Sequence, residues 1–204
     1  MNVRPVVFAK APQPGRVKTR LIPALGPDGA AALARRLLRH TLTEALAAGF
    51  GPVELCASPD PAHPAWKETA LPPGLVLTPQ GDGDLGARMA RAARRHIDTG
   101  RAVVLLGTDC PALTCGRLRR IAAALHQGQA VLVPALDGGY VALGLSRFHP
   151  ALFEAIAWGG DAVAATTCAR LRRLGWRFHC LPPLADIDRP GDLRHLPATW
   201  RICR

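Results

Sequence analysis

The segment that most constrains this chain is its beginning. An apolar run from Val3 to Ala9 leads into a loop that is rich in glycine and proline. That loop carries four basic side chains, with no acidic residue before Asp28: Lys10, Arg16, Lys18 and Arg20. A short buried strand that ends in such a loop puts positive charge at the carboxyl edge of a sheet, where phosphates bind. The segment therefore predicts a phosphate site; the alternative is a basic stretch that only faces water.

Composition excludes several classes of protein. The chain has 204 residues, 49% hydrophobic and 20% charged, which predicts one globular domain over residues 1–204. Its apolar runs are too short to span a bilayer, and it begins with no secretory signal, so we expect a cytoplasmic protein without membrane insertion. The net charge of +11 comes from dispersed arginines and not from a basic helix face interleaved with aromatics, so no nucleic-acid partner is expected.

The cysteines predict neither zinc nor disulfide chemistry. None forms a C-x-x-C pair or has a histidine partner at a spacing that would suggest zinc. Free, mostly buried thiols are expected at Cys56, Cys110, Cys115, Cys168, Cys180 and Cys203.

Short β-rich runs alternate with helical patterns along the chain. Strands are expected near Pro5 and over 53–57, 75–78, 102–107, 130–134, 140–145 and 177–181. Helices are expected from Gly26 to Ala48, from Leu85 to Ile97, from Thr114 to His126 and from Asp161 to Leu174. This alternation is typical of a three-layer α/β/α protein with an open, mainly parallel sheet.

Single acids follow two of the apolar strands. Asp109 comes just after the run 102–106 and precedes Pro111, so a carboxylate lies where ligands bind in open sheets and where it can hold a divalent metal. The alternative, a helix cap, is less favoured because Thr114 is better placed for that role. Asp137 is followed by Gly138, Gly139 and Tyr140, a pattern that fits a hairpin turn as well as a ligand site.

Two further loops are candidates. The glycine-rich loop 80–89 enters a helix, and its amides could hold a phosphate or a base edge near Gly83, Gly86 and Arg88, although two carboxylates there oppose an anion. Near the C-terminus, Asp186 and Asp188 form a D-x-D pair, or else the start of a helical turn. No P-loop is present, because Val17 precedes Lys18 where that motif needs glycine.

Taken together and in this order, the motifs at 8–21, 81–89, 107–111, 137–140 and 186–188 resemble a bacterial glycosyltransferase-like family, DUF2064, of the arsenosugar-biosynthesis type. The resemblance implies a GT-A, nucleotide-diphospho-sugar transferase fold, with a nucleotide-binding half at 1–110 and an acceptor-side half at 111–204. The element from Lys18 to Leu21 also looks like the Lys-Ser-Arg-Leu of 2-phospholactate guanylyltransferases.

Carried over to this chain, the resemblance assigns roles to named residues. Nucleotide and phosphate ligands would be Lys10, Gly15, Arg16, Lys18, Arg20, Gly83, Gly86 and Arg88, and the acceptor would contact Gly138, Gly139, Tyr140 and Asp161. Asp109 would hold Mg²⁺ or Mn²⁺, with Asp188 as a second ligand. Where relatives have Trp-Ser-Thr, this chain has Trp158, Gly159 and Gly160, which removes two hydroxyls beside the acceptor.

Three functions stay open at this stage. In glycosyl transfer from a nucleoside-diphosphate sugar to a small acceptor, the favoured one, Asp137 would act as the base and the metal would offset charge on the leaving group. In nucleotidyl transfer, Lys18 and its neighbours would stabilise an in-line displacement at an α-phosphate. The third function is a non-catalytic nucleotide-binding or partner-binding module. The oligomeric state is not predicted.

Overall fold

The computed structural model describes residues 2–200, so Cys203 lies outside the described residues. The seven strands are β1 (Val3–Lys10), β2 (Val53–Ser58), β3 (Leu75–Pro79), β4 (Ala102–Leu106), β5 (Ala130–Pro134), β6 (Tyr140–Leu145) and β7 (Phe178–Cys180). The helices within the described part are α1 (Ile22–Ala47), α2 (Leu85–Ile97), α3 (Cys115–Leu125) and α4 (Val163–Arg173), with short 3₁₀ turns between some elements.

One sheet contains all of these strands, in the order β3-β2-β1-β4-β6-β5-β7. Among the strands of residues 2–200, β6 alone runs against its neighbours, β4 and β5, and every other pairing is parallel. The carboxyl ends of β1, β4 and β5 therefore meet at one edge, and β6 begins at that same edge.

Helices cover both faces of the sheet. The residues of β4 illustrate this arrangement, because a strand presents alternate side chains to opposite faces of its sheet. Val104 and Leu106 pack in a core with α1 and α3, while Val103 and Leu105 pack in a second core with α2 and α4. All five residues of β4 are buried, as expected of a central strand covered on both faces. The three-layer α/β/α architecture and the mainly parallel sheet are confirmed.

Helix α1 is interrupted near its start. Gly26 has φ 68° and ψ 167°, a conformation that favours glycine, and it separates a first turn from the long helix that continues through Pro27. Regular helix therefore resumes where the Gly-Pro-Asp pattern predicts a start, and the extra turn before it was not predicted. That turn belongs to a third small core in which Leu21, Leu37 and Ile187 are fully buried.

The other expected elements are present with small shifts. Helix α2 has the predicted bounds, and α4 begins two residues after the predicted Asp161. Thr114 occupies the N-cap position of α3, but its side chain makes no capping bond; instead the N–H of Cys115 donates to Glu44 Oε2 at 2.6 Å. The cysteines at 56, 110, 115, 168 and 180 are free thiols. No helix within residues 2–200 is both long and apolar enough to cross a membrane.

Candidate active site

The first candidate site lies at the crevice between β1 and β4. β2 lies on one side of β1 and β4 on the other, so the connections after these strands leave in opposite directions and open a crevice at their carboxyl ends. Ligands of open α/β sheets bind at such a switch point. The loop after β1 carries Lys18, and the loop after β4 carries Asp109.

Lys18 and Asp109 are in direct contact there. The Lys18 Nζ lies 2.7 Å from Asp109 Oδ1 and 3.8 Å from Asp188 Oδ1, and it donates to the carbonyl of Ile187 at 2.6 Å. The side chain of Lys18 is only 6% exposed, whereas that of Asp109 is 44% exposed. The ammonium is therefore held in place beneath a carboxylate that still faces the crevice.

The backbone of Lys18 is strained. Its φ and ψ are 48° and 39°, the left-handed region, which costs a non-glycine residue of the order of 1–3 kcal/mol. The N–H of Leu21 donates to the Lys18 carbonyl at 2.8 Å, which closes the short turn that follows. Such strain persists where the surrounding structure holds the residue in place. Here the three contacts of Lys18 Nζ hold it.

A segment from Leu184 to Asp188 brings the D-x-D acids to the same place. Its N–H groups donate to the strand ends, from Leu184 to the Pro134 carbonyl and from Ile187 to the Asp109 carbonyl at 2.8 Å. Ile187 is fully buried, so the acids on either side of it are anchored at the edge of the sheet. Asp188 Oδ2 accepts from Arg20 at 2.6 Å, an ion pair that is largely exposed.

Asp186 is a member of this cluster that the assignments by sequence did not include. Burial raises the pKa of its carboxyl, and the negative charges of Asp137, Asp109 and Asp192 raise it further. No lysine or arginine of residues 2–200 pairs with it. The D-x-D spacing was the available signal, because residues two apart in an extended segment project the same way.

The acids fit a divalent cation that is shared with a ligand. Within the described chain, no three histidine, cysteine or acidic side chains stand close enough to hold an ion by themselves. Mg²⁺ commonly takes one or two carboxylates and completes its octahedron with substrate phosphates and water. Asp109 and Asp188 are carboxylates of that kind, since both contact the Lys18 ammonium and both are partly exposed.

The glycine-rich loop borders a second part of the crevice. Gln80 is buried, and its side-chain amide donates to the carbonyls of Ala9 and Cys56, which ties the loop to the ends of β1 and β2. Arg88 donates to the carbonyl of Gly83 at 2.9 Å and to Gln80 Oε1 at 3.3 Å. A cavity of about 340 Å³ is bordered by Lys10, Gly83 and Arg88, which the structure thus brings together.

Two residues of that loop have structural roles that the sequence did not indicate. Asp84 is the N-cap of α2 and accepts from the N–H of Ala87 at 2.8 Å, so one of the two opposing carboxylates is a helix cap. Gly86 is buried, and a Cβ on it would lie 2.2 Å from the carbonyl oxygen of Phe153. Close packing therefore requires a glycine there.

The Asp-Gly-Gly sequence is a hairpin turn that also borders a cavity. It joins β5 to β6, and the N–H of Ala135 donates to the Gly139 carbonyl at 2.9 Å. Asp137, Gly139 and Tyr140 line a cavity of about 180 Å³, together with residues of β1, α2, β4 and the segment 158–163. The turn is confirmed, and its position beside a cavity leaves the ligand-site interpretation of Asp137 as a prediction.

Gly138 and Asp161 contact each other. A Cβ on Gly138 would lie 1.9 Å from the Asp161 carbonyl oxygen, and the N–H of Ala164 donates to the Gly138 carbonyl at 2.9 Å. Gly138 thus allows close approach of the α4 entry segment. Neither residue lines the cavity.

The tip of the basic loop stands apart from these contacts. Gly15 and Arg16 are exposed, and the Arg16 N–H closes a turn with the Gln13 carbonyl at 3.1 Å. Gly15 has φ 73°, which explains a glycine at this position. Cys110, next to Asp109, is buried, and burial raises the pKa of its thiol to about 11, so it is a poor nucleophile at neutral pH.

Comparison with known proteins identifies the family. The family of uncharacterised proteins conserved in bacteria, DUF2064, matches residues 41–160, more than half of the chain. The chain belongs to DUF2064. The resemblance inferred from the motifs is confirmed.

Two relatives of this DUF2064 protein match it over most of both chains. A phosphoenolpyruvate guanylyltransferase of Sphaerobacter thermophilus is 32% identical over 184 residues, 88% of this chain and 86% of its own. The crystal structure of a protein from Desulfovibrio desulfuricans G20, described as a nucleotide-diphospho-sugar transferase, is 34% identical, with a TM-score of 0.88 over 97% of this chain and 87% of its own. These similarities support a transferase.

A more distant structure shares the fold alone. Rv0371c of Mycobacterium tuberculosis, in complex with manganese, is 20% identical, with a TM-score of 0.56 over 96% of this chain and 98% of its own. The DUF2064 match covers Asp109 and Asp137 but neither Lys18 nor Asp188.

Proposed function

We propose that this protein is a metal-dependent nucleotidyltransferase, which joins the nucleoside monophosphate part of a nucleoside triphosphate to a phosphorylated small molecule. The observation that carries the proposal is the contact of the buried Lys18 ammonium with Asp109 and Asp188 at the switch point. The guanylyltransferase relative, similar over most of both chains, supports it.

The nucleotide would lie across the crevice. Its base and ribose would occupy the cavity beside Lys10, Gly83 and Arg88, and its phosphates would extend to Lys18. Two further groups would border this path: Gly15, Arg16 and Arg20 in the loop after β1, and Gly86 in the first turn of α2. Residues 1–110 would then form the nucleotide-binding half and residues 111–204 the acceptor-side half.

The reaction needs positioning and charge neutralisation more than proton transfer. A phosphate oxygen of the acceptor attacks the α-phosphorus, the bond from that phosphorus to the bridging oxygen of the β-phosphate breaks, and pyrophosphate leaves. Lys18 donates to the phosphate oxygens on which charge builds up, and Arg20 adds positive charge nearby. Since the attacking phosphate is already ionised, no general base is required.

Asp109 and Asp188 would hold Mg²⁺ or Mn²⁺. When bound, the ion would supply Lewis-acid neutralisation of the phosphate oxygens. Lys18 now pairs with both acids, so phosphate binding must exchange those contacts for donation to the nucleotide. Asp186 would add negative charge beside the ion without needing to touch it.

Glycosyl transfer is the second candidate, and one observation favours it. Asp137 is exposed at the mouth of a cavity that could hold an acceptor, which is where a base for an acceptor hydroxyl is required. The class name given to the Desulfovibrio desulfuricans relative, nucleotide-diphospho-sugar transferase, fits this reaction. In this reaction the sugar moves and the nucleoside diphosphate is released.

Labelled substrates distinguish the two reactions. With a nucleoside triphosphate labelled at its α-phosphate, Mg²⁺ and a panel of phosphorylated acceptors, nucleotidyl transfer moves label to the acceptor and releases pyrophosphate. With nucleoside-diphosphate sugars, glycosyl transfer leaves the nucleotide label on the released diphosphate. Release of labelled nucleoside diphosphate from the sugar donor, with no label transfer from the triphosphate, would overturn our proposal. Binding without turnover of either donor would favour a non-catalytic module.

A further inference from the structure

The cavity beside the β5–β6 turn has walls that are mostly apolar. Its volume is about 180 Å³, and α2 and the segment 158–163 form part of its wall. A water molecule occupies about 30 Å³ in the liquid, so the space suits one compact group. Its main walls are formed by Phe8, Leu85, Met89, Leu105, Tyr140 and Trp158.

The charge at this cavity is negative. Asp137 is the sole charged residue that lines it, and no lysine, arginine or histidine of residues 2–200 does so. The Tyr140 hydroxyl contacts Met89 Sδ at 3.5 Å, and burial raises the pKa of Tyr140, which keeps the phenol neutral. A carboxylate entering here would lose water and meet Asp137, and both effects are unfavourable.

Aromatic walls suit a group of the opposite charge. The rings of Tyr140 and Trp158 meet edge to face, with an interplanar angle of 87° and centroids 6.4 Å apart. An alkylammonium placed against such rings gains a cation–π attraction, and a nearby carboxylate adds to it. Leu85, one of the walls, is 44% exposed, so the apolar surface extends outward from the cavity at this side chain.

We propose that this cavity binds the end of the acceptor remote from the reacting phosphate, and that this end is a compact alkylammonium. The inference rests on the proposed function, because it takes the acceptor to be a phosphate ester. It separates this chain from its Sphaerobacter thermophilus relative, whose named substrate, phosphoenolpyruvate, carries a carboxylate instead.

Three matched phosphate esters test the charge preference. Phosphocholine carries a quaternary ammonium, 3,3-dimethylbutyl phosphate has the same shape without charge, and phosphoenolpyruvate is anionic. Calorimetry in the presence of Mg²⁺ and a non-hydrolysable triphosphate measures each Kd. We expect phosphocholine to bind several-fold more tightly than the neutral ester and at least ten-fold more tightly than phosphoenolpyruvate. Equal or tighter binding of phosphoenolpyruvate, or no preference for the cation over the neutral ester, would overturn the inference.

A substitution ties the preference to the cavity. Asp137→Asn should abolish the advantage of phosphocholine over the neutral ester and bring phosphoenolpyruvate closer to both. Asp98→Asn, at an exposed acid paired with Arg94, is the matched control and should leave all three ratios unchanged. An unchanged ratio in Asp137→Asn would remove this carboxylate from acceptor selection and overturn the inference.

Failure of the proposed function is a separate result. Titration of nucleoside triphosphates with Mg²⁺ in the absence of acceptor tests the nucleotide site alone. If no triphosphate binds, the proposed function fails. If one binds and the three esters still follow another order, the inference fails by itself.

Discussion

The ammonium of Lys18 and the carboxylate of Asp109 meet at 2.7 Å across the crevice between the first and fourth strands. The two side chains come from loops that lie far apart in sequence, and the parallel order β2-β1-β4 brings them together. Lys18 is almost fully buried while Asp109 faces outward, so one ion pair is both a structural anchor and an exposed charge.

Lys18→Ala should weaken nucleotide binding by about 1.5–3 kcal/mol, the range for a hydrogen bond to a charged group, or about ten-fold to more than a hundred-fold in Kd. Titration with a nucleoside triphosphate and Mg²⁺ measures the change. Lys67→Ala removes an exposed lysine from another loop and should have no effect. An unchanged Kd in Lys18→Ala would exclude this lysine from the phosphate site.

Lys18→Gly should retain more stability than Lys18→Ala. Both variants lose the ammonium, but glycine adopts φ 48° without strain whereas alanine does not, a difference of about 1 kcal/mol or more. Urea unfolding of the two variants measures the difference. Equal stabilities would mean that the left-handed conformation relaxes once the side chain is removed.

Asp109→Asn should abolish metal-dependent turnover and leave the fold intact. The amide keeps the shape of the side chain, but it neutralises the charge that would hold the metal. Turnover with Mg²⁺ or Mn²⁺, together with circular dichroism and Tm, checks both parts. Asp28→Asn, at an exposed acid in α1, is the control. A protein that shows no turnover in its natural form would be the non-catalytic module.

Loss of the buried acid on β2 should be the most destabilising of these changes. Glu54 is 2% exposed and pairs with Arg95 and with His96 Nε2, the latter at 2.6 Å. Glu54→Ala should cost about 3–5 kcal/mol, the usual effect of removing one partner of a buried pair. Thermal and urea unfolding measure it, and Glu68→Ala, at an exposed acid, should cost little.

His96 should make the stability sensitive to mild acid. Burial lowers its pKa below the ordinary value of 6.5 and outweighs the opposing effect of Glu54. The unfolded chain then binds the proton more readily, so stability falls as the pH drops from 7 through 6.5 toward the folded pKa. His96→Gln should flatten this part of the profile, whereas a profile identical to that of the natural protein would exclude His96 as its source.

Most of the fold was predictable from local patterns. The apolar run of β4 predicts a buried strand, and the amphipathic pattern of α2 predicts a helix. The Asp-Gly pair at 137–138 predicts the turn that the structure shows. The position of the antiparallel strand β6 in the sheet was not predictable. Alternating strands and helices indicate parallel pairing, and nothing local reveals that β6 inserts between β4 and β5.

The charged part of the site was predictable in kind and the apolar part was not. The basic loop around Lys18 indicates a phosphate site, and the positions of Asp109 and Asp188 indicate metal-binding acids. The structure places both acids beside Lys18. Phe8, Met89 and Trp158 look like ordinary core residues in sequence, because an aromatic or methionine that lines a cavity obeys the same periodicity as one that fills the core. Only the packing of distant elements distinguishes them.

The reversed strand has a consequence for engineering. Because β6 returns beside β5, residues 135–139 are held at both ends by the sheet, and Gly138 is packed against Asp161. The length of this turn is therefore fixed by its surroundings, whereas the exposed side chains of Leu136 and Asp137 can vary without disturbing the strands. Under the proposed function, preference for the acceptor can thus diverge by substitution at these two positions while the loops that would handle the phosphates stay unchanged.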